Sequence, residues 1–206
     1  MYSQGKEELF IVDFFKGRIG SVLDVGANDG RSLSNSLKLI EDGWNGVMVE
    51  ASPKAFVRLK ETHKDRKNVY LFDYALTSFD GECELNESGA VRTGRCSRDN
   101  VGLVSSLDEK WMRPWGKTHF DKVKVPCRTF KTFLEESPIK KFEFITIDIE
   151  GEDLNLLKQI DLDEVGCELL CIEYIFPEVA EVLKEECGKR GYKEVGRTKC
   201  NLLFAK

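Results

Sequence analysis

The chain has 206 residues, 41% of them hydrophobic and 33% charged, with a formal net charge of −5. That size supports one substantial core and leaves little room for two α/β domains. The acidic balance excludes a general nucleic-acid-binding surface, and no apolar run reaches the ~20 residues of a membrane span. Seven cysteines without a Cys-x-x-Cys pair, beside only two histidines, fit reduced structural thiols rather than a disulfide framework or a zinc site. The N-terminus lacks the basic start, apolar core and small-residue cleavage site of a secretory signal, so a cytoplasmic protein is expected.

In chain order the sequence alternates strand and helix. Residues 6–16 read as a leading helix, apolar on much of its surface, within a docking element over 1–19. An apolar strand starting at Val22 and ending in Asp24 runs into a glycine turn, followed by a helix over 32–40 with Leu33, Leu37 and Ile40 on one face. A second strand over 44–50 ends in Glu50, after which Ser52 is placed to cap a helix with Pro53 at its first position. Residues 68–74 give a third strand, and 86–122 read as an irregular lid or insertion.

The second half repeats the pattern. An extended piece over 123–128 leads to a short helix carrying Phe130, Phe133 and Leu134. A strong strand over 142–149 precedes a helix over 152–160 with Leu154, Leu157 and Ile160 in a stripe. A strand over 168–174, a helix over 178–189 with Val179, Val182 and Leu183 inward, and a closing hairpin around 196–199 complete the chain. These units predict an α/β, Rossmann-like single domain over 1–206. Its mostly parallel seven-stranded sheet would end in a C-terminal antiparallel hairpin, with helices on both faces.

The glycine turn narrows the ligand class. A dinucleotide fold wants G-x-G-x-x-G, whose second glycine makes room for a pyrophosphate. Here the turn is Gly26-Ala27-Asn28-Asp29-Gly30, with Asn28 where that glycine would stand. Asp24, just before it, would repel a pyrophosphate and suit the amino group of an amino-acid-bearing cofactor. Glu50, at the end of the second strand, is placed to accept hydrogen bonds from both hydroxyls of a ribose.

The turn resembles the first motif of class I S-adenosylmethionine-dependent methyltransferases. Residues 24–30, 50–53 and 75–76, and above all Ile147-Asp148-Ile149-Glu150-Gly151-Glu152-Asp153, resemble the FkbM family of methyltransferases, with Glu173 also fitting. The resemblance implies S-adenosylmethionine as methyl donor and methylation usually of a hydroxyl on a sugar or other small molecule. It implies cofactor contacts from Asp24, Gly26, Asn28, Gly30, Glu50, Ala51 and Ser52, and adenine contacts around Asp73 and Ala75. The terminal hairpin is the usual signature of the methyltransferase variant of the fold. One departure is Thr129-Phe130-Lys131-Thr132, where the family carries a Thr-Leu-Asp-Asp-like run.

Strand alternation places Thr146, Asp148 and Glu150 on one face, beyond the carboxyl end of a buried strand where such folds bind ligands. Methyl transfer from a sulfonium is an in-line displacement that needs an aligned nucleophile and, for a hydroxyl, removal of its proton. Asp148 and Glu150 are therefore the candidate catalytic residues. Alternatively they cap the next helix and bind acceptor hydroxyls, or join Glu173 in holding a divalent cation, the less favoured reading.

In the 86–122 region Arg92, Arg95, Arg98, Trp111, Trp115 and His119 combine cations with aromatic rings. Arg95, Trp115 and His119, together with Glu173, are the expected acceptor contacts. His63, beside Lys60, Lys64 and Arg66, reads as a charged, exposed helix end. The expected function is an O-methyltransferase for a small, carbohydrate-like acceptor, with no nucleic-acid partner. The rivals are a non-catalytic S-adenosylmethionine-binding module and an NAD-type oxidoreductase, the latter disfavoured by the missing glycine.

Overall fold

A computed structural model describes residues 1–90 and 101–206. Helix α1 (Glu7–Phe15) precedes β1 (Ser21–Val25), α2 (Leu37–Glu41), β2 (Asn45–Val49), α3 (Pro53–His63) and β3 (Val69–Phe72). The middle of the chain holds β4 (Ala75–Leu76), β5 (Gly81–Ser88), α4 (Glu109–Met112) with a 3₁₀ turn at Arg113–Trp115, and β6 (Phe120–Arg128). Then come α5 (Phe130–Glu136), β7 (Phe144–Ile147), α6 (Asp153–Gln159), β8 (Leu169–Glu173), α7 (Pro177–Lys189), β9 (Lys193–Arg197) and β10 (Asn201–Ala205).

Seven strands form the main sheet in the order β3-β2-β1-β7-β8-β10-β9, parallel except for the closing hairpin β9–β10. Strand order reverses between β1 and β7, and a crevice opens beyond the carboxyl ends of the strands at such a switch point. Register brings three strand ends level: Val25 pairs with both Val49 and Ile147. Residues 26, 50 and 148 therefore leave the sheet side by side.

Alternation along the strands divides the core between the two faces. Leu23, Val25, Ile145 and Ile147 pack with Phe133 of α5, Leu157 of α6 and Leu183 of α7. Val22, Met48 and Phe144 pack with Phe15 of α1, Ile40 of α2 and Leu59 of α3. The leading helix docks as its apolar surface suggests, with Phe15 edge-on to Trp44 at 4.6 Å between centroids. Burying such a ring contributes roughly 1.5–3 kcal/mol.

Four expectations are corrected. The helix after the turn begins at Leu37, not at 32. Asp29 captures the Arg31 and Ser32 N–H groups at 2.9 and 2.7 Å, and Leu33 lies at φ 59°, so residues 29–36 stay a loop. Second, the 123–128 piece does not join the main sheet; β6 pairs with β4 and β5 in a separate three-stranded sheet. Its partner β5 falls partly inside the stretch read as irregular, because Cys83 and Leu85 are the only apolar side chains in Gly-Glu-Cys-Glu-Leu-Asn-Glu-Ser.

Third, Val182 is 45% exposed, and α7 turns Ala180, Leu183 and Cys187 inward instead. Fourth, His63 is buried, 3% exposed, beneath the glycine turn. The six described cysteines are free thiols, and Cys96 lies outside the described residues.

Candidate functional site

The glycine turn is fitted to its neighbours by backbone contacts. Gly26 lies at φ 85°, and a Cβ there would sit 1.8 Å from the Asp148 carbonyl oxygen, so only glycine allows the β1 and β7 loops to touch. The Gly26 and Ala27 N–H groups donate to the Val49 carbonyl at 2.9 and 3.2 Å. Glu50 accepts from the Asn28 N–H and the Ser52 N–H, both at 2.7 Å, tying the turn to the start of α3. Ser52 caps α3 by accepting from the Ala55 N–H, with Pro53 at the first position as its sequence suggested.

Gly30 has a different job. It lies at φ 70° against α3, where a Cβ would meet His63 Nε2 at 2.5 Å. Gly30, Ser52 and Asp73 line neither cleft at the strand ends, and Asp73 is exposed at the end of β3. Burial holds the His63 imidazole down at about 4, so it stays neutral near neutral pH.

Two adjoining clefts open at the switch point. The larger, about 570 Å³ of empty space including its open mouth, is lined by Glu50, Ala51, Ala75, Leu76, Ile149 and Glu150 among others. The smaller, about 460 Å³ on the same measure, is lined by Asp24, Ser34, Asn35 and Thr146. Gly26, Asn28, Leu103 and Asp148 line both and form the neck between them.

The Asn28 side chain at the neck lacks partners. Asn28 is 6% exposed, at φ 48°, and neither its Oδ1 nor its Nδ2 has a hydrogen-bond partner. A buried amide left so is costly unless a ligand satisfies it. Asp24 accepts from Ser36 Oγ at 2.5 Å, and burial pushes its carboxyl up to about 6. Burial likewise pushes Glu50 up to about 7, against the two N–H groups that favour its ionised form.

The third feature is acidic. Asp148, Glu150 and Glu173 each bring one carboxylate oxygen within 4.8 Å of the others. Glu150 is buried with Oε2 unpartnered, and its φ of 50° costs roughly 1–2 kcal/mol for a residue with a Cβ. Burial, then the Asp153 charge, pushes Asp148 up to about 7. Burial, then neighbouring carboxylates, drives Glu150 and Glu173 well above the carboxylate range. The hydrogen bond between Asp148 and Glu173 favours ionised Asp148 and protonated Glu173. Such a group holds protons near neutral pH and can take one up or release one.

This loop is braced from two sides. Asp153 accepts from the Ile149 and Gly151 N–H groups, both at 3.0 Å. Ser106 Oγ donates to the Glu150 carbonyl at 2.7 Å. Gly151, at φ 117°, lies under Trp111, whose ring would be 2.3 Å from a Cβ there. Trp111 in turn packs on Phe176 at 5.4 Å.

The expected acceptor contacts are scattered. Glu173 joins the acidic group, while Trp115 is half-buried with its Nε1 unpartnered. His119 is exposed, pairs with Asp121 at 2.9 Å and lines neither cleft. Arg95, with Arg92 and Arg98, lies outside the described residues. Sequence reasoning missed Leu103 and Ser106, which sit in a stretch with no periodic signal; the Ser105-Ser106 pair between apolar residues is the one hint.

This strand order, closed by an antiparallel hairpin and with its clefts at the switch point, is the class I methyltransferase fold. The methyltransferase FkbM domain model matches residues 24–193, and the chain belongs to that family. Among solved structures it is similar to the methyltransferase FkbM from Methylobacillus flagellatus KT, at 15% identity and a TM-score of 0.56, covering 91% of this chain and 44% of that one. This chain thus spans under half the length of that protein. A ribosomal protein L11 methylase from Lactobacillus delbrueckii subsp. bulgaricus is similar at 10% identity and a TM-score of 0.52, covering 97% and 76% of the two chains. The METTL16 methyltransferase domain is similar at 12% and 0.54, covering 96% and 65%. No curated protein matches the chain significantly.

Proposed function

We propose that the chain is an S-adenosylmethionine-dependent O-methyltransferase acting on a hydroxyl of a small, neutral, sugar-like acceptor. The observation that carries this reading is the pair of clefts meeting at Gly26, Asn28 and Asp148, with Glu50 in one and Asp24 in the other. The donor set fits an elongated ligand with a ribose at one end and an amino acid at the other. Glu50 faces the ribose hydroxyls, Asp24 the ammonium group, and the unpartnered Asn28 amide offers both a donor and an acceptor at the neck. The cofactor, when bound, supplies an electrophilic methyl group on a sulfonium.

The chain's own residues do the rest. Asp148 lies at the neck, and a carboxylate raised to about 7 is suited to take a hydroxyl proton at its Oδ atoms near neutral pH. Glu150 and Glu173, whose carboxyls burial and their neighbours drive well above the carboxylate range, offer hydrogen-bonding carboxyl groups to the hydroxyls of a neutral acceptor. No helix among the described residues is long and apolar enough to cross a membrane.

Calorimetric titration with S-adenosylmethionine and with NAD, repeated on Glu50→Ala, tests the cofactor. Micromolar binding of the first alone, lost in the variant, is expected. Binding of NAD instead would sink the proposal. Release of S-adenosylhomocysteine with a panel of polyol acceptors then tests the reaction, and absence of turnover with all of them would favour a non-catalytic binding module.

A further inference from the structure

The two clefts are one-sided in charge. Asp24, Glu50, Asp148, Glu150 and Glu152 line them, and among the described residues no lysine, arginine or histidine does so. A buried carboxylate without a nearby cation is costly, and such a group keeps its proton instead.

Asp148 meets this problem from every side. Glu150 and Asp153 face it from its own loop, Asp24 from β1 and Glu173 from β8. The thiols of Cys171 in β8 and Cys200 in the closing hairpin turn also feel its charge, and neither supplies a positive one. Asp148 and Glu173 share a hydrogen bond, which two carboxyl groups can form only when one of them carries a proton. Glu173 is the member driven well above the carboxylate range, so it holds that proton. Burial first, and then the Asp153 charge, raises Asp148 to about 7, so its own proton is held loosely near neutral pH.

Position decides what can remove it. Asp148 lines both clefts, whereas Glu50 and Glu150 line only the larger and Asp24 only the smaller. A ligand with its ribose at Glu50 and its amino acid at Asp24 carries the sulfur between them past the neck, beside Asp148. A sulfonium is positively charged at every pH, and a cation close to a carboxyl lowers its pKa by about 1–3.

We propose that the sulfonium supplies the counter-charge of this acidic site, so that binding of the methyl donor expels the Asp148 proton and frees the base. This rests on the reading of the clefts as an S-adenosylmethionine site. The protons balance over one cycle. One leaves Asp148 for solvent as the donor binds. During transfer the acceptor O–C bond forms as the S–C bond breaks, the electron pair stays on sulfur, and the hydroxyl proton passes to Asp148. Sulfur is then neutral, and Asp148 keeps that proton while the products leave. Without the methyl donor, the neck thus holds no free base near neutral pH.

The test is calorimetric titration of the full chain with S-adenosylmethionine and with S-adenosylhomocysteine at about pH 6.5, in two buffers of different ionisation heat, which counts the protons exchanged. The probes share a ribose and an ammonium group and differ in charge only at sulfur. Proton changes at Glu50 and Asp24 therefore cancel in the comparison. S-adenosylmethionine is expected to release about one-half to one proton more than S-adenosylhomocysteine. Its preference over the thioether should rise about tenfold from roughly pH 5.5 to pH 8, and level off above about 7. Asp148→Asn should bind S-adenosylhomocysteine within about threefold of wild type, and lose both the extra proton and the pH dependence of the preference.

Equal proton counts for the two probes in wild type overturn the proposal, as does an extra proton that survives in Asp148→Asn. Should that variant fail to fold or to bind, carbon NMR of the full wild-type chain labelled at its aspartate carboxyls decides. An aspartate that loses its proton with S-adenosylmethionine and keeps it with S-adenosylhomocysteine is expected, and the lack of one overturns the proposal. Wild type binding neither probe would instead remove the cofactor reading, and the coupling with it.

Discussion

The two ends of the site are held by different kinds of contact. At the proposed cofactor end, Gly26, Asn28, Glu50 and Ser52 are fixed by hydrogen bonds between loops leaving adjacent parallel strands. At the acidic end, the loop from 148 to 153 leaves the same sheet, but its outer face is held by Ser106 and Trp111 from the insertion. The first end is therefore as rigid as the sheet. The second is as rigid as the docking of one short segment, and on the function proposed above it is the end that an acceptor would meet. On that proposal, binding and chemistry draw on separately adjustable parts of the molecule.

Gly26→Ala is the sharpest way to break the first end. A Cβ 1.8 Å from the Asp148 carbonyl cannot be accommodated without moving a strand end. We expect a loss of about 2–4 kcal/mol in thermal or denaturant unfolding and no measurable S-adenosylmethionine binding. Wild-type stability in this variant would show that the two loops are not in contact.

The electrostatics of the same end give the next largest effect. Burial raises Glu50 from 4.5 to about 7 in the folded chain, so the folded state binds its proton more tightly than the unfolded state between those values. Its contribution is present at low pH and is lost as pH rises from about 4.5 to about 7. Glu50→Gln should therefore gain on wild type, by about 2 kcal/mol in unfolding free energy between roughly pH 5 and pH 8. Parallel stability curves for the two proteins would contradict the burial argument.

Gly151→Ala sharpens the contrast from the other side. Its Cβ would displace the Trp111 ring and its φ of 117° would be strained, so the acidic loop should shift while the cofactor end stays put. Affinity for S-adenosylhomocysteine should remain within about threefold, with thermal stability lowered by about 1–2 kcal/mol. An equal collapse of ligand binding would show that the two ends are one unit.

The smallest effect concerns His63, which is held neutral at about 4 under the glycine turn. A depressed histidine contributes stability above its unfolded value near 6.5 and loses it as pH falls toward 4. His63→Gln should flatten the acid limb of the melting curve by about 1 kcal/mol or less, after discount for partial solvation. An unchanged acid limb would mean that the imidazole is wetter than its burial suggests.

The main sheet was legible because each of its five parallel strands β1, β2, β3, β7 and β8 is a short, mostly apolar run bounded by glycine or an acidic residue, and Ser52-Pro53 announces a helix start locally. The same local grammar exposed Gly26, Glu50 and the Asp148–Glu150 pair, since residues that leave parallel strands gather at one edge whatever the rest of the chain does. It misjudged the helix over 32–40 because Asp29 and the left-handed Leu33 hold the loop open, a choice that amphipathic spacing does not record.

His63 was misread for a related reason: its charged neighbours describe the exposed side of α3, while burial depends on Gly30 arriving from another loop. The insertion was the least legible part, because β5 gains its order from pairing with β6 across a long gap rather than from its own pattern. Sequence alone therefore determined the sheet, the turn and which acids stand at its edge, all of which follow from periodicity and strand ends. Tertiary structure decided which of those acids are buried, what holds Glu150 in place and which residues share a cleft, because burial and hydrogen-bond partners come from segments far apart in the chain.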